Sequence, residues 1–465
     1  MKKDNLYRIY TGLFIGVCLI PAVCMPFVKG DASKEKRELA KFPSFTKEGK
    51  INKDFFDEFE TYFSENFAFR QQLVTADSRV KSTLVKTSAN DDVIVGKDGW
   101  LYYSETLDDF RRTDTLSQTN INSIAYNMQV IEDYCSSRGA DFLFFSTPNK
   151  NTLYPENMPY NYIQTDNESN LERLTEKLSG KEFFVDMKSE LENLNSPTPL
   201  YHKTDTHWNN FGAYAAHTIL MNRLGKSSCE TGNGWYTAND RLGDLAAMLY
   251  PAEDAKDMQL HNDYEFRYEY TSRFRGLDDI SITTANSNAE GNLLMFRDSF
   301  GEAILPYMAE QFATAEFSRA VPYNLQNVKV GDTVVLEIVE RNLGNLLDTA
   351  PVMEAPILSI LDIEAENGNP WGTTIKKRKI NGLTHIYGTV PEGFIRSENY
   401  TFAFEIEGTL YEAFNIFEKE LLEGFEYSPY GYSFYIPESI DTASMKMIVL
   451  NENAGAVSAQ FLTEG

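Results

Sequence analysis

The spacing of apolar residues along the chain changes character several times, and each change marks an element. Residues 9–28 form an apolar run without a charged side chain. As a helix it is long enough to cross the ~30 Å hydrocarbon core of a bilayer. Phe55, Phe56, Phe59, Tyr62 and Phe63 then recur at helical spacing, and an amphipathic helix follows over 70–86. The aromatic stripe is expected to pack into a core. Residues 93–103 are apolar on either side of Lys97-Asp98-Gly99, which predicts a β-hairpin.

Further along, helical and strand patterns alternate. Helices are predicted over 120–138, 171–178, 209–224 (capped by Asn209) and 301–312. Strands are predicted over 141–147, 182–186, 292–296, 314–317 and 333–340. Strands separated by helices predict a parallel sheet covered on both faces, with its site at the carboxyl ends of the strands. The loop 148–152, Ser299 and Arg341 fall at that edge. Residues 226–290, rich in Asp, Asn, Tyr and Gly, read as an insertion over the site. Beyond 350, short β runs at 357–363, 385–389, 401–407, 433–436 and 445–450 predict a β-sandwich. The expected organisation is a cytoplasmic tail (1–8), a transmembrane anchor (9–28), a stalk and helical lead-in (29–75), an α/β domain (76–345) and the sandwich (350–465).

Composition narrows the function. With 465 residues, 42% of them hydrophobic, the chain can build more than one core. Its net charge of −25 argues against nucleic acid as a partner, because phosphate binding needs a basic face. Lys2, Lys3 and Arg8 ahead of the apolar run place the N-terminus in the cytoplasm and the rest outside, as a single-pass protein of the cell membrane. A cleaved signal peptide is the alternative, with Gly30-Asp31-Ala32 as its small-residue site. Of four cysteines, Cys18 and Cys24 lie in the run, while Cys135 and Cys229 lie outside it and are free to pair. Spacing does not settle whether they do, and no metal or redox role is expected of them.

Two stretches carry candidate chemistry. Tyr201 to Gly212 holds Asp205 and His207 one residue apart and opens into a helix. Leu293 to Gly301 is an apolar strand that runs into Ser299 and then into another helix. A serine hydroxyl needs a base to take its proton and a carboxylate to orient that base. Ser299, His207 and Asp205 supply these, and the helix N-terminus offers backbone N–H groups to an oxyanion. Simple capping by Asp298-Ser299 is the plainer alternative. A metal held by His202, Asp205 and His207 is another, but no further ligand cluster lies nearby, so neither metal nor cofactor is expected. His217, His261 and His385 read as structural.

The motifs Glu65-Asn66-Phe67-Ala68-Phe69-Arg70, Gly96 to Tyr102, Pro148-Asn149-Lys150, Asp205-Thr206-His207-Trp208 and Arg297-Asp298-Ser299-Phe300 together resemble the DHHW family. That family is related to the SGNH-hydrolase-like domain of alginate O-acetyltransferases. The resemblance implies an SGNH-hydrolase-like α/β fold with Ser299 as nucleophile, His207 as base and Asp205 as orienting carboxylate. It also implies O-acetylation of an exported or cell-surface polysaccharide, with acetyl supplied through a membrane-bound O-acyltransferase partner. Two departures stand out: Thr206 replaces the first histidine of the motif, and Arg297 replaces the glycine of Gly-Asp-Ser. Asn149, Lys150, Arg297 and Arg341 are candidates for oxyanion or substrate contacts. In the β region, outside the resemblance, Trp371, Tyr400 and Tyr411 are candidate sugar-stacking aromatics. The alternatives are a carbohydrate acetylesterase with the same triad and a non-catalytic glycan-binding subunit of a polysaccharide export complex.

Overall fold

In the computed structural model of the chain, four strands run parallel, in the order Asp141–Thr147, Asp332–Val339, Asn292–Phe296 and Thr314–Ser318. Strands Ser281–Ala285 and Glu269–Tyr270 extend this sheet antiparallel. The sheet is therefore mixed, where the sequence predicted a parallel one. Its antiparallel edge comes from the stretch whose polar composition hid any period. The structure describes residues 3–28, 39–47, 49–113, 115–194, 196, 198–229, 234–254, 256–359, 363–369, 371–417 and 430–462.

Alternation along each strand sorts side chains to two cores, as a period of two requires. Phe142 and Phe144 join helix Gln118–Ser137 and helix Asn170–Leu178 on one face. Leu143 and Phe145 join helix Asn210–Arg223 and helix Gly301–Glu310 on the other. Ser117 and Ser169 cap the first pair of helices through their hydroxyls. The predicted strand at 182–186 is reduced to one bridge, Phe144 with Phe184. Cys135 and Cys229 are free thiols in the two opposite cores, so the pairing left open by the sequence is not made.

The C-terminal strands form two sheets that share one bent strand. Thr409–Ile416 pairs with Tyr400–Ile406 through its first half and with Gly431–Pro437 through its second. Phe402, Phe404, Tyr432, Phe434 and Met447 fill the core between them, giving the expected β-sandwich. It docks on helix Gln118–Ser137, where the side chain of Asn127 exchanges hydrogen bonds with the backbone of Asn415 at 2.8 and 3.0 Å. Tyr400 is 2% exposed and packs edge-on against Phe402, so it is a core residue and not a sugar-stacking one. Tyr411 is partly buried against the same core, while Trp371 is 85% exposed.

The apolar N-terminal run is a helix, Lys3–Cys24, so the lysine and arginine expected in a separate tail (Lys3, Arg8) belong to it. It is the one helix among the described residues that is long and apolar enough to cross a membrane. Lys2 and the Gly30-Asp31-Ala32 cleavage site lie outside the described residues, as does the side chain of Cys18. The hairpin is present, with Val93–Val95 antiparallel to Leu101–Tyr103 and Asp98 and Gly99 both at positive φ in its turn. The aromatic stripe, by contrast, is not core: helix Phe55–Asn66 buries none of its residues.

Candidate active site

The carboxyl ends of the parallel strands converge on one edge, where Thr147 stands opposite Val339, and Phe296 opposite Leu336. The chain leaves strand Asn292–Phe296 in a tight turn that exposes Ser299 before helix Gly301–Glu310 begins. Asp298 fixes that turn. Its carboxylate accepts from the N–H of Phe300 and of Val339, each at 2.8 Å. The Asp298 N–H donates to buried Glu337 at 3.0 Å, and Thr147 donates its hydroxyl to the same carboxyl at 2.8 Å. Burial, with Asp298 alongside, pushes Glu337 well above the usual carboxylate range. Glu340 plays a matching part in the neighbouring loop, accepting from the Asn149 N–H at 2.8 Å and the Thr152 hydroxyl at 2.6 Å. Burial pushes it up to about 7.

The Asp-x-His loop is a narrow ribbon closed by a bridge between Tyr201 and Trp208. Gly212 permits the close approach of the next helix, since a Cβ there would lie 2.3 Å from the Leu200 carbonyl oxygen. Asn209 caps that helix, accepting from the Gly212 N–H at 2.9 Å. Trp208 donates its indole N–H to the Phe300 carbonyl at 3.0 Å, tying this loop to the serine turn.

The two stretches meet. His207 Nε2 lies 2.9 Å from Ser299 Oγ, and His207 Nδ1 lies 2.8 Å from Asp205 Oδ1. Because Asp205 is a carboxylate, Nδ1 donates, which leaves the Nε2 lone pair facing the serine hydroxyl. Asp205 is fully buried. Its other oxygen, Oδ2, accepts from Arg241 Nε at 2.9 Å and from the Asp244 N–H at 3.3 Å. Burial works to raise the Asp205 carboxyl, but the His207 hydrogen bond and the charges of His207 and Arg241 outweigh it and hold it far below its usual range. For His207, burial favours the neutral ring, yet the Asp205 hydrogen bond and charge, with Asp244 beside it, raise the imidazole above its ordinary value.

Arg241 and Asp244 went unread in the sequence because they lie in the insertion, which has no period to anchor them. Asp244 Oδ1 also accepts from the Thr206 N–H at 2.8 Å, so Thr206 contributes backbone to the loop. Asp205, His207 and Asp244 bring three ligand-type groups within 4.8 Å of one another, but a guanidinium and several N–H donors already engage them. His202 turns away, its Nδ1 3.1 Å from the Met258 carbonyl.

The weaker candidates separate clearly. Lys150 is buried under the Asp-x-His loop, donating to the carbonyls of His202, Lys203 and Asp205 at 3.2, 3.1 and 2.7 Å. Burial pushes it down to about 8 against the pull of Asp205, Asp244 and Asp257. It holds the loop and is not placed to contact an oxyanion. Arg297 is buried and folds back, donating to the carbonyls of Asp298 and Leu277. Asn149 donates its amide to Asp109 at 3.1 Å. Arg341 lies over the rings of Tyr103 and Phe300, 5.6 and 5.8 Å from their centroids, beside the serine turn. Among the other histidines, His217 and His385 are buried and thereby pushed down to about 3, and His261 pairs with Asp240.

Residues 93–280 match the family model of the SGNH hydrolase-like domain of the acetyltransferase AlgX. The match takes in Asp205, His207, Arg241 and Asp244 and ends before Ser299. None of the curated proteins matches. Among solved structures, PatB1 of Bacillus cereus is similar at 18% identity over 54% of this chain and 96% of that one, with a TM-score of 0.43. A DHHW family protein of Eubacterium siraeum follows at 16% identity, over 48% and 87%, with a TM-score of 0.39. The O-acetyltransferase domain of Pseudomonas putida AlgJ shares 16% identity over 54% and 92%, with a TM-score of 0.36. Over residues 93–280, then, the chain is similar to the SGNH hydrolase-like domain of AlgX, as the DHHW-type motifs in its sequence imply.

Proposed function

We propose that this protein is an extracytoplasmic O-acetyltransferase that modifies an exported or cell-surface polysaccharide through Ser299, His207 and Asp205. The observation that carries the reading is the continuous hydrogen-bonded chain from Ser299 Oγ through His207 to Asp205 and Arg241. In the first half-reaction His207 Nε2 takes the hydroxyl proton as Ser299 Oγ attacks the donor's acetyl carbonyl. The new C–O bond forms a tetrahedral intermediate, and the donor leaves with the proton returned by His207. In the second half-reaction a sugar hydroxyl loses its proton to His207 and attacks the acetyl-serine carbonyl, and the intermediate collapses by breaking the Ser299 Oγ–acyl bond as His207 returns the proton to Oγ. Asp205 keeps the imidazole in the Nδ1–H tautomer and stabilises the imidazolium. The N–H of Ser299, at the start of a helix, is the donor we assign to the oxyanion, and Arg341 is the side chain assigned to substrate contact. Acetyl is delivered by a membrane-bound O-acyltransferase, and helix Lys3–Cys24 is the anchor that keeps the domain beside it.

The test is to incubate the full chain with a chromogenic acetyl ester, quench, and map the acetyl adduct by mass spectrometry. Acetyl on Ser299 that passes to an added oligosaccharide supports the transferase. Passage to water alone would make the protein an esterase. No adduct on Ser299 would remove the reading.

Lys150→Met should show how much of this site depends on its support. The change keeps the apolar stem and removes the charge that satisfies three carbonyls, two of them in buried bonds. Each charge-assisted bond contributes about 1.5–3 kcal/mol, so urea unfolding should show a loss of several kcal/mol. Because a ~1 Å shift of a reacting group can cost about 100-fold, kcat should fall by about that factor in the protein that still folds.

A further inference from the structure

We infer that helix Phe55–Asn66 lies in the outer interface of the bilayer, as a second membrane contact beside the N-terminal helix. The inference rests on the reading of Lys3–Cys24 as a membrane span. Helix Phe55–Asn66 has 12 residues, none of them buried. A helix of that length is marginal in water without a surface to cover its apolar side. At ~100° per residue, Phe55, Phe56, Phe59, Tyr62 and Phe63 fall within an arc of about 120°. Asp57, Glu60 and Ser64 lie on the opposite arc. Rings and carboxylates thus lie on separate sides, the separation of apolar and polar faces that a helix lying in a membrane interface needs.

The described residues cover only part of the aromatic arc. Phe45 stacks on Phe55 with centroids 4.2 Å apart, and Phe42 meets Phe59 and Tyr62 edge-on at 5.9 and 5.2 Å. This small cluster leaves Phe56 at 80%, Phe45 at 68% and Phe42 at 57% exposure, a patch of rings that a water-facing surface seldom keeps. Lys41, Lys50 and Lys53 are exposed on the same short segment, and Lys47 pairs with Glu58. Aromatic rings and lysines together suit the headgroup level, where the ring body and the ammonium are both accommodated.

Position selects the bilayer over other apolar partners. Directly after the helix, the Ala68 N–H donates to the carbonyl of Pro21 at 3.3 Å. Pro21 lies in the last turn of Lys3–Cys24, so the aromatic helix sits at the level where that helix leaves the hydrocarbon. Phe69 and Leu73, just past the aromatic helix, line an apolar groove whose other wall runs from Gly12 to Pro21 of that span.

The test uses the full chain in nanodiscs of phosphatidylcholine with bromine on the acyl chains, and two variants, Phe56→Trp and Leu13→Trp. The emission of the unsubstituted chain is subtracted from each. Phe56→Trp should lose most of its added emission to lipid brominated near the headgroup, and Leu13→Trp to lipid brominated deeper. Leu13→Trp quenched with Phe56→Trp unquenched would overturn the interfacial helix while leaving the span. A blue-shifted but unquenched Phe56→Trp would assign the patch to protein, whether a second copy or another chain, and overturn it equally. Failure of both to quench would overturn the span and the inference together.

Discussion

Replacing Ser299 with alanine is expected to lower kcat for ester turnover by about 10⁶-fold, and His207→Ala to cost nearly as much. The double variant should be little worse than either single one. The reason lies in the shared proton: His207 Nε2 faces Ser299 Oγ at 2.9 Å, and neither group has chemistry to offer without the other. Residual turnover should come from binding and the backbone N–H at the serine turn. Ser299→Ala removes no packing contact of size, whereas His207→Ala strips a ring that lies 4.8 Å from the Phe300 ring and takes a partner from buried Asp205. Thermal unfolding should therefore move little for Ser299→Ala and fall for His207→Ala, and a parallel Tm measurement separates lost chemistry from a lost fold. A Ser299→Ala variant with near-normal turnover would discard the nucleophile and the mechanism with it.

The residues of this chain were legible in proportion to how local their signals are. Asp205-x-His207 and a serine between a strand and a helix are short-range patterns, and each falls at an element boundary that the sequence marks. The strand Asp141–Thr147 was readable because its centre, 142–145, is apolar without alternation, as a strand buried on both faces must be. Arg241 and Asp244 act across a loop 36 or more residues away in sequence, and nothing local announces such a contact. Lys150 was read by type as a donor to substrate, whereas burial and three carbonyls make it a support. Glu337 and Glu340 sit on a strand and just past its end, where an acid usually signals exposure. The aromatic stripe shows the opposite limit. Helical period predicts that one face will be covered, but not what covers it, and the described residues leave Phe56 80% exposed.

Asp205→Asn is expected to reduce kcat/KM by about 10⁴-fold at neutral pH and to move its acid limb. The carboxylate does two things that an amide cannot. It accepts from His207 Nδ1 at 2.8 Å, fixing the tautomer that leaves Nε2 free, and its charge stabilises the imidazolium. An amide in its place can turn its NH₂ toward Nδ1, which selects the opposite tautomer and puts a proton between Nε2 and Ser299. The pH profile gives the sign independently of the rate. Burial lowers the His207 pKa, and the hydrogen bond and charge of Asp205, with the charge of Asp244, raise it past its ordinary value, about 6.5. Activity of the natural protein should therefore appear only as pH rises above that value. Without Asp205, burial and the unpaired Arg241 both favour the neutral ring, so the limb should shift to lower pH. The same loss leaves the Arg241 guanidinium, whose side chain is 40% exposed, facing an amide, and because water screens that charge stability should fall by only about 1–3 kcal/mol. A large loss of rate with no movement of the acid limb would mean that Asp205 shapes the loop without tuning His207. An unchanged rate would mean that Asp244, whose Oδ2 stands 3.6 Å from His207 Nδ1, is the carboxylate that the imidazole uses.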